Sequence, residues 1–594
     1  MSGIAGIINQ AAHVQAQICN NIQEALKCRG SDIYGTYISE KMCLIHTGHS
    51  HEENRQQPLR AVMGRKAYVL VFDGELYNRN ELRQELSSLG YKFQENTDAA
   101  VVLHAYMAWG QSCVEHINGV FAFAIWDETG LFLARDRLGI RPLYYSVGSF
   151  GLVFASNIKS MLAHPEVEPI IALDGIAELI MLGPGRSPGH AIYKNIKELG
   201  PGECAYYKDG FAKNTYWRLK AKTHQDNFAQ TVETVRSLLT DAIRRQSDGR
   251  VASLFSGGLD SSIVTAVSGV RDTFSIDYVG NDKHFTPNEY QPDDDNEFTA
   301  QMVSARNLNH RRIILGSDEL ADALDDAMEA RGLPGMADID SALLLLLRKV
   351  GEGFNTVLSG EGADEIFGGY PWFQDEARLY ADTFPWAQNA EYRASFLRPG
   401  LINSPTDYVK THFDRAIQAA NTLYDDDKTE KRIRQMYNLN LGWFMQTLLN
   451  RSNSMAAAAK VNIRMPFLDY RLVEYMYNVP WHFKNHDERE KGLLREAFKH
   501  VLPEKIVARK KSPFPKTHNP GYTMRMQDML KEVINGTDAP LLQIVSKDAL
   551  EKLLTNSDTT NWYGQLMSHP QTIAYFLQIN SWMTTNNVKT ENFL

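Results

Sequence analysis

Arg250-Val-Ala-Ser-Leu-Phe-Ser-Gly-Gly-Leu-Asp-Ser-Ser-Ile-Val264 is the stretch that decides the fold of most of this chain. Its apolar run Val251–Phe255 ends at glycines, which favours a buried parallel strand. Ser256-Gly-Gly258 then turns the chain, and Ser261 begins a helix with hydroxyl groups in its first turn. The stretch predicts an anion cradle, because backbone N–H groups and the helix dipole would face the ligand.

Asp260 indicates which kind of anion the cradle would hold. No lysine follows the glycines, so this is not the GxxxxGK[ST] loop of common nucleotide hydrolases. A carboxylate repels phosphate unless a cation lies between them, and a magnesium ion bridging Asp260 to a polyphosphate resolves that conflict. The alternative is a plain strand, turn and helix.

A second acidic cluster follows another apolar run in Val357-Leu-Ser-Gly-Glu-Gly-Ala-Asp-Glu-Ile-Phe-Gly-Gly-Tyr370. Glu361, Asp364 and Glu365 would repel one another unless a cation or a polar substrate lies among them. The alternative is that Glu365 only caps the helix that begins at Ile366.

Further strands are predicted at Asp272–Tyr278 and His310–Leu315, with helical stretches at 296–305 and 317–331. Strands that alternate with helices predict a doubly wound parallel sheet with ligands at the carboxyl ends of its strands. In the first third, strands in pairs with helices outside them favour a layered α/β sandwich. The predicted strands there are 2–8, 67–72, 119–126, 131–134 and 152–155, and the predicted helices are 17–28, 79–89 and 98–109.

Composition sets the class of protein. The 594 residues predict several domains, and 43% hydrophobic and 22% charged residues are ordinary for a chain that buries large cores. A net charge of −9 argues against nucleic-acid binding. Five cysteines without a CxxC pair, no secretory leader and no long apolar run predict a cytoplasmic enzyme that does not bind membranes. We place domains at 2–210 and 225–594.

SGGLDSS resembles the pyrophosphate loop of enzymes that split ATP into AMP and pyrophosphate. Together with 29–32, 73–78, 119–124 and 135–144, it makes nearly the whole chain resemble the asparagine synthetase family, which also contains β-lactam synthetases. The resemblance implies an α/β fold. It has an Ntn-hydrolase-like (N-terminal nucleophile) αββα sandwich and a doubly wound ATP-pyrophosphatase domain with extra helices.

The resemblance also implies a set of site residues. It assigns ATP and pyrophosphate to Leu254, Ser256, Gly257, Gly258, Asp260, Ser261, Ser262, Ser275 and Gly360. It assigns Mg²⁺ to Asp260 and Asp364, and it places Glu361 by the attacking amine and Arg464 beside the acceptor pocket. In 509–516 the catalytic lysine maps onto Lys511, with Lys510 as the alternative.

The first domain departs from its resemblance to glutaminase domains in three roles. The nucleophilic cysteine is Ser2, which is a weaker nucleophile. No arginine occurs in 45–50 to hold the glutamine carboxylate, and the asparagine that donates to the oxyanion is Asp73. We therefore interpret Ser2, Asp73, Gly74, Glu75 and Asp98 as a degenerate glutaminase site. Two alternatives remain, a Ser2 nucleophile activated by its own amine and an engineered change of cysteine to Ser2.

Two further patterns bear on ligands. His46, His49 and His51 alternate in what we interpret as a solvated polar loop rather than a metal site. Asn453 and Asn462 stand where the family has acidic residues near its acceptor pocket, which puts aspartate as the acceptor in doubt.

The leading hypothesis is an ATP-dependent ligase that adenylates a small carboxylate and transfers it to ammonia or another amine, including lactam closure within one substrate. The alternatives are a glutamine-dependent asparagine synthetase that uses Ser2, and a catalytically silent binding protein. Intact Asp260, Glu361, Asp364 and Lys511 argue against the silent protein. The sequence is compatible with a homodimer and does not fix the oligomeric state.

Overall fold

The structure is a computed structural model that describes residues 1–9, 14–54, 56–285, 295–536, 538–555 and 560–591. The chain divides into two compact units. Unit 1 comprises Met1–Gly175, Pro188–Arg218 and Ala456–Lys460, and unit 2 comprises Ile176–Ser187, Leu219–Met455 and Val461–Leu594. The predicted domain bounds, 2–210 and 225–594, stay a prediction.

Unit 1 is built from two six-stranded antiparallel sheets, with strand orders β11-β8-β9-β1-β3-β2 and β13-β12-β7-β6-β5-β4. The strands are β1 (Gly3–Ile8), β2 (Ile33–Ile38), β3 (Met42–Gly48), β4 (Leu59–Met63), β5 (Lys66–Leu76), β6 (Gly119–Trp126), β7 (Leu131–Arg135), β8 (Tyr144–Gly148), β9 (Gly151–Ala155), β10 (Ile170–Ile171), β11 (Lys197–Glu198), β12 (Glu203–Tyr207) and β13 (Phe211–Thr215). Its helices are α1 (Ala16–Leu26), α2 (Arg79–Ser88), α3 (Asp98–Trp109), α4 (Cys113–His116) and α5 (Ile158–Leu162).

Two apolar layers hold unit 1 together. One fills the space between the sheets, with Ile4 and Leu44 from one sheet against Val71 and Leu133 from the other. The second lies between the second sheet and helices α2 and α3, where Phe123 packs with residues such as Leu103. Helix α1 packs on β1 and β3, so helices flank both sheets. The predicted αββα sandwich is confirmed.

Unit 2 is organised around a five-stranded sheet of order β16-β15-β14-β17-β18, in which all strands are parallel. Its strands are β14 (Ala252–Leu254), β15 (Asp272–Tyr278), β16 (Asn309–Leu315), β17 (Thr356–Leu358) and β18 (Asn462–Arg464), and β19 (Lys589–Thr590) lies outside it. The strand order reverses direction between β14 and β17, as in a doubly wound sheet. The loops after β14 and β17 therefore lie side by side at the switch point, where ligands bind in such folds.

Helices surround this sheet, which confirms the predicted α/β class with extra helices. They are α6 (Leu173–Ala177), α7 (Phe228–Gln246), α8 (Leu259–Ser268), α9 (Asn281–His284), α10 (Asp295–Arg306), α11 (Ser317–Asp322), α12 (Leu324–Arg331), α13 (Asp338–Gly351), α14 (Ala363–Phe367), α15 (Pro371–Gln374), α16 (Glu376–Leu379), α17 (Ala390–Ala394), α18 (Pro405–Gln418), α19 (Lys428–Leu439), α20 (Met445–Ala458), α21 (Tyr470–Asn478), α22 (Trp481–Lys484), α23 (Gly492–Phe498), α24 (Glu504–Ala508), α25 (Pro520–Asn535), α26 (Lys547–Thr555) and α27 (His569–Thr585). Among the described residues, none of these helices combines the length and apolarity that a membrane span requires.

Candidate active site

The glycine turn after β14 forms the predicted cradle. Gly257 has φ +69°, and a Cβ atom there would lie 2.7 Å from the backbone nitrogen of Thr299. Gly258 is the N-cap of α8 and has no side chain with which to cap the helix. The first amide groups of α8 therefore face outward without a side-chain acceptor, as an anion-binding helix N-terminus requires.

The loop after β17 packs against this cradle. A Cβ atom on Gly360 would lie 2.9 Å from the backbone nitrogen of Ser261 and 3.1 Å from the Cβ atom of Asp260. Only a glycine lets the two loops approach this closely. The close approach brings the acidic cluster after β17 next to the start of α8.

Four charged side chains meet where the loops touch. Lys491 Nζ lies 2.6 Å from Asp260 Oδ2 and 2.7 Å from Asp364 Oδ1. Lys511 Nζ lies 3.3 Å from Asp364 Oδ2. The structure thus brings together the predicted Asp260, Asp364 and Lys511 and adds Lys491, which the sequence analysis missed. We call these four residues the charge cluster.

Burial and charge compete within the charge cluster. Burial raises the pKa of Asp260. Burial would also raise the pKa of Asp364, but the ammonium groups of Lys491 and Lys511 outweigh it and hold the pKa of Asp364 at about 2. Burial would lower the pKa of Lys491, but Asp260 and Asp364 raise it. Asp364 and Lys491 are therefore both charged at neutral pH.

The two carboxylates of the charge cluster fit a magnesium ion. Asp260 Oδ1 is buried and has no hydrogen-bond partner in the part of the chain that the structure describes. Within that same part, no group of three or more His, Cys, Asp or Glu side chains could hold a metal by itself. Magnesium commonly takes one or two protein carboxylates and completes its shell with water and substrate phosphates, so two aspartates suffice.

Glu361 and Glu365 have separate environments. Glu361 pairs with Arg451 Nη2 at 2.5 Å and accepts a hydrogen bond from Ser452 Oγ at 2.6 Å. Glu365 lies within α14, is buried, and accepts from the Tyr370 hydroxyl at 2.5 Å. Burial raises the pKa of Glu365 to about 7. Glu361 is thus the carboxylate held in place by a cation.

A single pocket in unit 2 contains most of the predicted residues. The predicted residues that line it are Leu254, Ser256, Gly258, Asp260, Ser261, Ser275, Gly360, Glu361, Asp364 and Lys511. Gly257 lies in the turn but outside the pocket lining, and it contacts Thr299. Ser262 is fully buried within α8. Arg464 lies outside the lining, because its guanidinium donates to the carbonyl oxygens of Gln246 at 2.9 Å and Asp248 at 3.0 Å.

Sequence reasoning missed four cations that line the pocket. They are Arg451, Lys491, Arg495 and Arg509, and Arg509 donates to the carbonyl oxygen of Ser256 at 3.1 Å and pairs with Asp295. Except for Arg495, which pairs with the nearby Glu490, each pairs with a carboxylate far away in the sequence. One local signal existed, since Lys491 comes directly before the buried apolar start of α23.

In unit 1, the residues predicted for the degenerate glutaminase site bond to one another. Asp73 is 1% exposed, and its carboxylate accepts from the Ser2 backbone N–H at 3.2 Å and from Arg29 Nη2 at 3.0 Å. Arg29 Nε also donates to the carbonyl oxygen of Ser2 at 3.1 Å. The Ser2 hydroxyl donates to Glu52 Oε2 at 2.7 Å. Both oxygens of Asp73 are therefore already occupied.

The other three predicted residues of that site take part in the packing and hydrogen bonding of unit 1. A Cβ atom on Gly74 would lie 2.2 Å from the carbonyl oxygen of Val120, so sheet packing alone requires this glycine. Glu75 follows it on β5 and is half-buried. Asp98 begins α3 and accepts from the Leu76 N–H at 3.2 Å, and burial raises its pKa to about 7.

The interpretation of the three histidines as a solvated loop is wrong for two of them. His46 lies on strand β3 and is fully buried, and His49 is 1% exposed. The apolar run 42–45 at the start of β3 draws the strand into the sheet, and His46 follows it directly. Burial lowers the pKa of His46 to about 4, so it is neutral at pH 7.

Comparisons with known proteins match both halves of the chain. The asparagine synthase family matches residues 234–584, and the glutamine amidotransferase domain family matches residues 1–217. "Asparagine synthetase [glutamine-hydrolyzing] 3" of Bacillus subtilis is 38% identical and covers 98% of each chain. "Asparagine synthetase [glutamine-hydrolyzing] 1" of that organism is 25% identical over 93% of each chain.

Two more distant matches were also found. "Amidase chyE" of Penicillium rubens is 26% identical over 82% of this chain and 83% of its own. A solved structure of B. subtilis glutamine phosphoribosylpyrophosphate amidotransferase is 15% identical, with a TM-score of 0.30, over 60% of this chain and 81% of its own. The 38% identity over almost the full length, with the matching family, settles the relationship. The chain belongs to the asparagine synthetase family, whose members are ATP-dependent ligases that form carbon–nitrogen bonds.

Proposed function

We propose that unit 2 forms an amide bond in two steps. In the first, a carboxylate oxygen of the substrate attacks the α-phosphorus of ATP, the bond from that phosphorus to the bridging oxygen breaks, and pyrophosphate leaves. In the second, an amine attacks the acyl carbon, the bond between that carbon and the AMP oxygen breaks, and the amine gives up a proton. Adenylation supplies the good leaving group that a free carboxylate lacks.

The charge cluster beside the glycine cradle is the observation that carries this proposal. The cradle suits the pyrophosphate part of ATP because its amide groups and helix dipole favour an anion. Asp260 and Asp364 would hold Mg²⁺, which supplies positive charge to the phosphates when it is bound. Leu254, at the carboxyl end of β14, and Ser275, in the middle of β15, line the pocket and would contact the nucleoside.

Lys511 and Glu361 would act on the reacting groups. Lys511 keeps its ammonium 3.3 Å from Asp364, next to where pyrophosphate would leave, so it would stabilise the charge that develops there. Glu361 would lie by the attacking amine, and its contacts with Arg451 and Ser452 fix the position of its carboxylate. Lys510 is exposed and has a weaker claim to the catalytic role.

We further propose that unit 1 does not hydrolyse glutamine. An oxyanion needs a donor, whereas Asp73 is an acceptor whose oxygens already bond to Ser2 and Arg29. The Ser2 hydroxyl bonds to Glu52, and no buried histidine or lysine contact activates it among the hydrogen bonds described for it. Ammonia, or an amine that belongs to a substrate, would therefore be the nitrogen source. The substrates are small molecules, and the site of action is the cytoplasm.

A carboxylate screen by ATP–pyrophosphate exchange tests this proposal. The expected result is exchange that depends on Mg²⁺ and on one class of carboxylic acid, followed by AMP release when ammonia is added. Exchange with an acid but no product with ammonia would point to an amine in the same or another substrate, which is the lactam-forming version of the proposal. No exchange with any acid, in a protein that still binds ATP, would contradict it.

A further inference from the structure

One helical face in the pocket changes from apolar to charged along its length. Phe444, Leu448, Arg451 and Ser452 all line the pocket, and their spacing places them on one side of the helical segment that continues as α20. We call these four residues the α20 face. Because the face is continuous, a substrate lying along it meets apolar groups at one end and charged groups at the other.

The apolar end adjoins the charge cluster through aromatic rings. The Phe444 ring lies edge-on to Tyr370, with centroids 5.2 Å apart, and to Trp372 at 5.4 Å. Tyr370 and Trp372 stack at 4.5 Å. Lys511 Nζ lies 5.5 Å from the centre of the Tyr370 ring. The apolar surface thus begins within a few ångströms of the proposed catalytic lysine.

Two side chains at the charged end of the α20 face already bind a carboxylate. Arg451 and Ser452 both bind Glu361, the proposed neighbour of the amine. Among the described residues that line the pocket, every Asp and Glu has a cationic or hydroxyl partner. They are Asp260, Asp295, Glu361, Asp364 and Glu365. Unless it took the Asp260 Oδ1 atom that magnesium would use, a bound ammonium group would have to break an existing pair or lose its water without compensation.

We propose that the acceptor acid carries an apolar or aromatic body, which packs on Phe444 and Leu448, in place of the free ammonium group of aspartate. This inference rests on the proposed function, because it names the substrate class of that same site. The apolar end of the α20 face favours a substrate that buries apolar surface there. The carboxylates at the charged end are already paired and so offer little to an ammonium group.

Binding without turnover tests the inference separately from the proposed function. Isothermal titration of the full chain with Mg²⁺ and α,β-methylene-ATP would compare 3-phenylpropionate with aspartate. We expect 3-phenylpropionate to bind at least about tenfold more tightly, as removal of apolar contacts in a pocket typically changes affinity by that factor or more. Equal or tighter binding of aspartate would overturn the inference. So would a failure of both acids to bind while the ATP analogue binds.

A pair of adjacent leucines supplies matched variants. Leu448 lines the pocket, whereas Leu449 is 2% exposed and lies outside the lining. Leu448→Ala should weaken binding of 3-phenylpropionate roughly tenfold and leave the affinity for the ATP analogue unchanged. Leu449→Ala should change neither affinity, although it lowers stability. The inference would be contradicted if both variants weakened the binding of 3-phenylpropionate equally, or if Leu448→Ala did not weaken it. If the unmodified protein bound 3-phenylpropionate but catalysed no ATP–pyrophosphate exchange, that result would count against the proposed function instead.

Discussion

Asp73, on strand β5 of unit 1, and Asp260, in the first turn of helix α8 in unit 2, are carboxylates whose surroundings differ. Asp73 bonds through one oxygen to the Ser2 backbone and through the other to Arg29. Asp260 bonds through one oxygen to Lys491 and leaves Oδ1 buried without a hydrogen-bond partner among the described residues. Asp73 completes its own bonding, whereas Asp260 still requires a ligand.

That difference distinguishes a carboxylate with a structural role from one with a chemical role. A buried polar group without a partner costs free energy, and where it lines a pocket a ligand can complete its bonding. At Asp73 the chain supplies the cations itself, through Arg29 and Arg141. At Asp260 a metal and a phosphate would complete the set.

Asp260→Asn should abolish ATP–pyrophosphate exchange. The amide cannot supply the negative charge that a magnesium ion needs, and it leaves Lys491 with one carboxylate fewer. Exchange measured at low magnesium concentration checks this, with the exposed Asp325→Asn of helix α12 as the matched control. Wild-type exchange by Asp260→Asn, with an unchanged melting temperature, would remove Asp260 from the site.

Lys511→Ala should lower turnover by about 10²-fold or more and leave ATP binding largely intact, because one donor to the transition state is lost. Steady-state rates and an ATP titration separate the two effects. The neighbouring Lys510→Ala is the matched control, since Lys510 is exposed. If Lys510→Ala lowers turnover and Lys511→Ala does not, Lys510 is the catalytic lysine.

Arg29→Met should destabilise unit 1 by about 3 kcal/mol or more, because it removes the nearer cation of the buried Asp73 carboxylate and leaves only Arg141 Nε at 3.7 Å. Urea denaturation measures the free energy of unfolding. The double variant Arg29→Met with Asp73→Leu should recover much of the loss, since a buried ion pair can be replaced by apolar groups. Exchange in unit 2 should persist in the double variant. A destabilised double variant would mean that Asp73 has a further role.

Ser2→Ala should have no effect on synthesis with ammonia, since the nitrogen does not come from unit 1 in this account. It removes one hydrogen bond, from Ser2 Oγ to Glu52. The rate of AMP formation at saturating ammonia checks the prediction. A large fall in that rate would give Ser2 a part in synthesis that the structure does not explain.

Much of the fold was predictable because its signals are local. Apolar runs that end at glycines predicted β14 and β17, and helix α3 and strands β6 and β15 begin and end at the predicted residues. Strand β3 was missed, because His46, Thr47 and Gly48 made an apolar strand look like a polar loop. Its histidine, His46, is buried by the pairing of β3 with β1 and β2, which no local pattern contains.

The site was predictable only where its residues lie in recognisable loops. Asp260, Asp364 and Lys511 come from three separate motifs and meet in the structure. Lys491 could not be found in this way, because a single lysine gains its role from partners that are 231 and more than 100 residues away. Arg464 illustrates the opposite case, since its position in a motif gave no information about the direction of its side chain.

One reaction mixture tests the central claim, that the chemistry lies in unit 2 and that unit 1 no longer hydrolyses glutamine. It contains the full chain, ATP, Mg²⁺, glutamine and an acid that supports pyrophosphate exchange, and both AMP and glutamate are measured over time. We expect AMP to form once ammonia is added. We expect the glutamate concentration to stay at the level of a control without enzyme, whether or not ATP is present. Glutamate release that disappears in Ser2→Ala would contradict it.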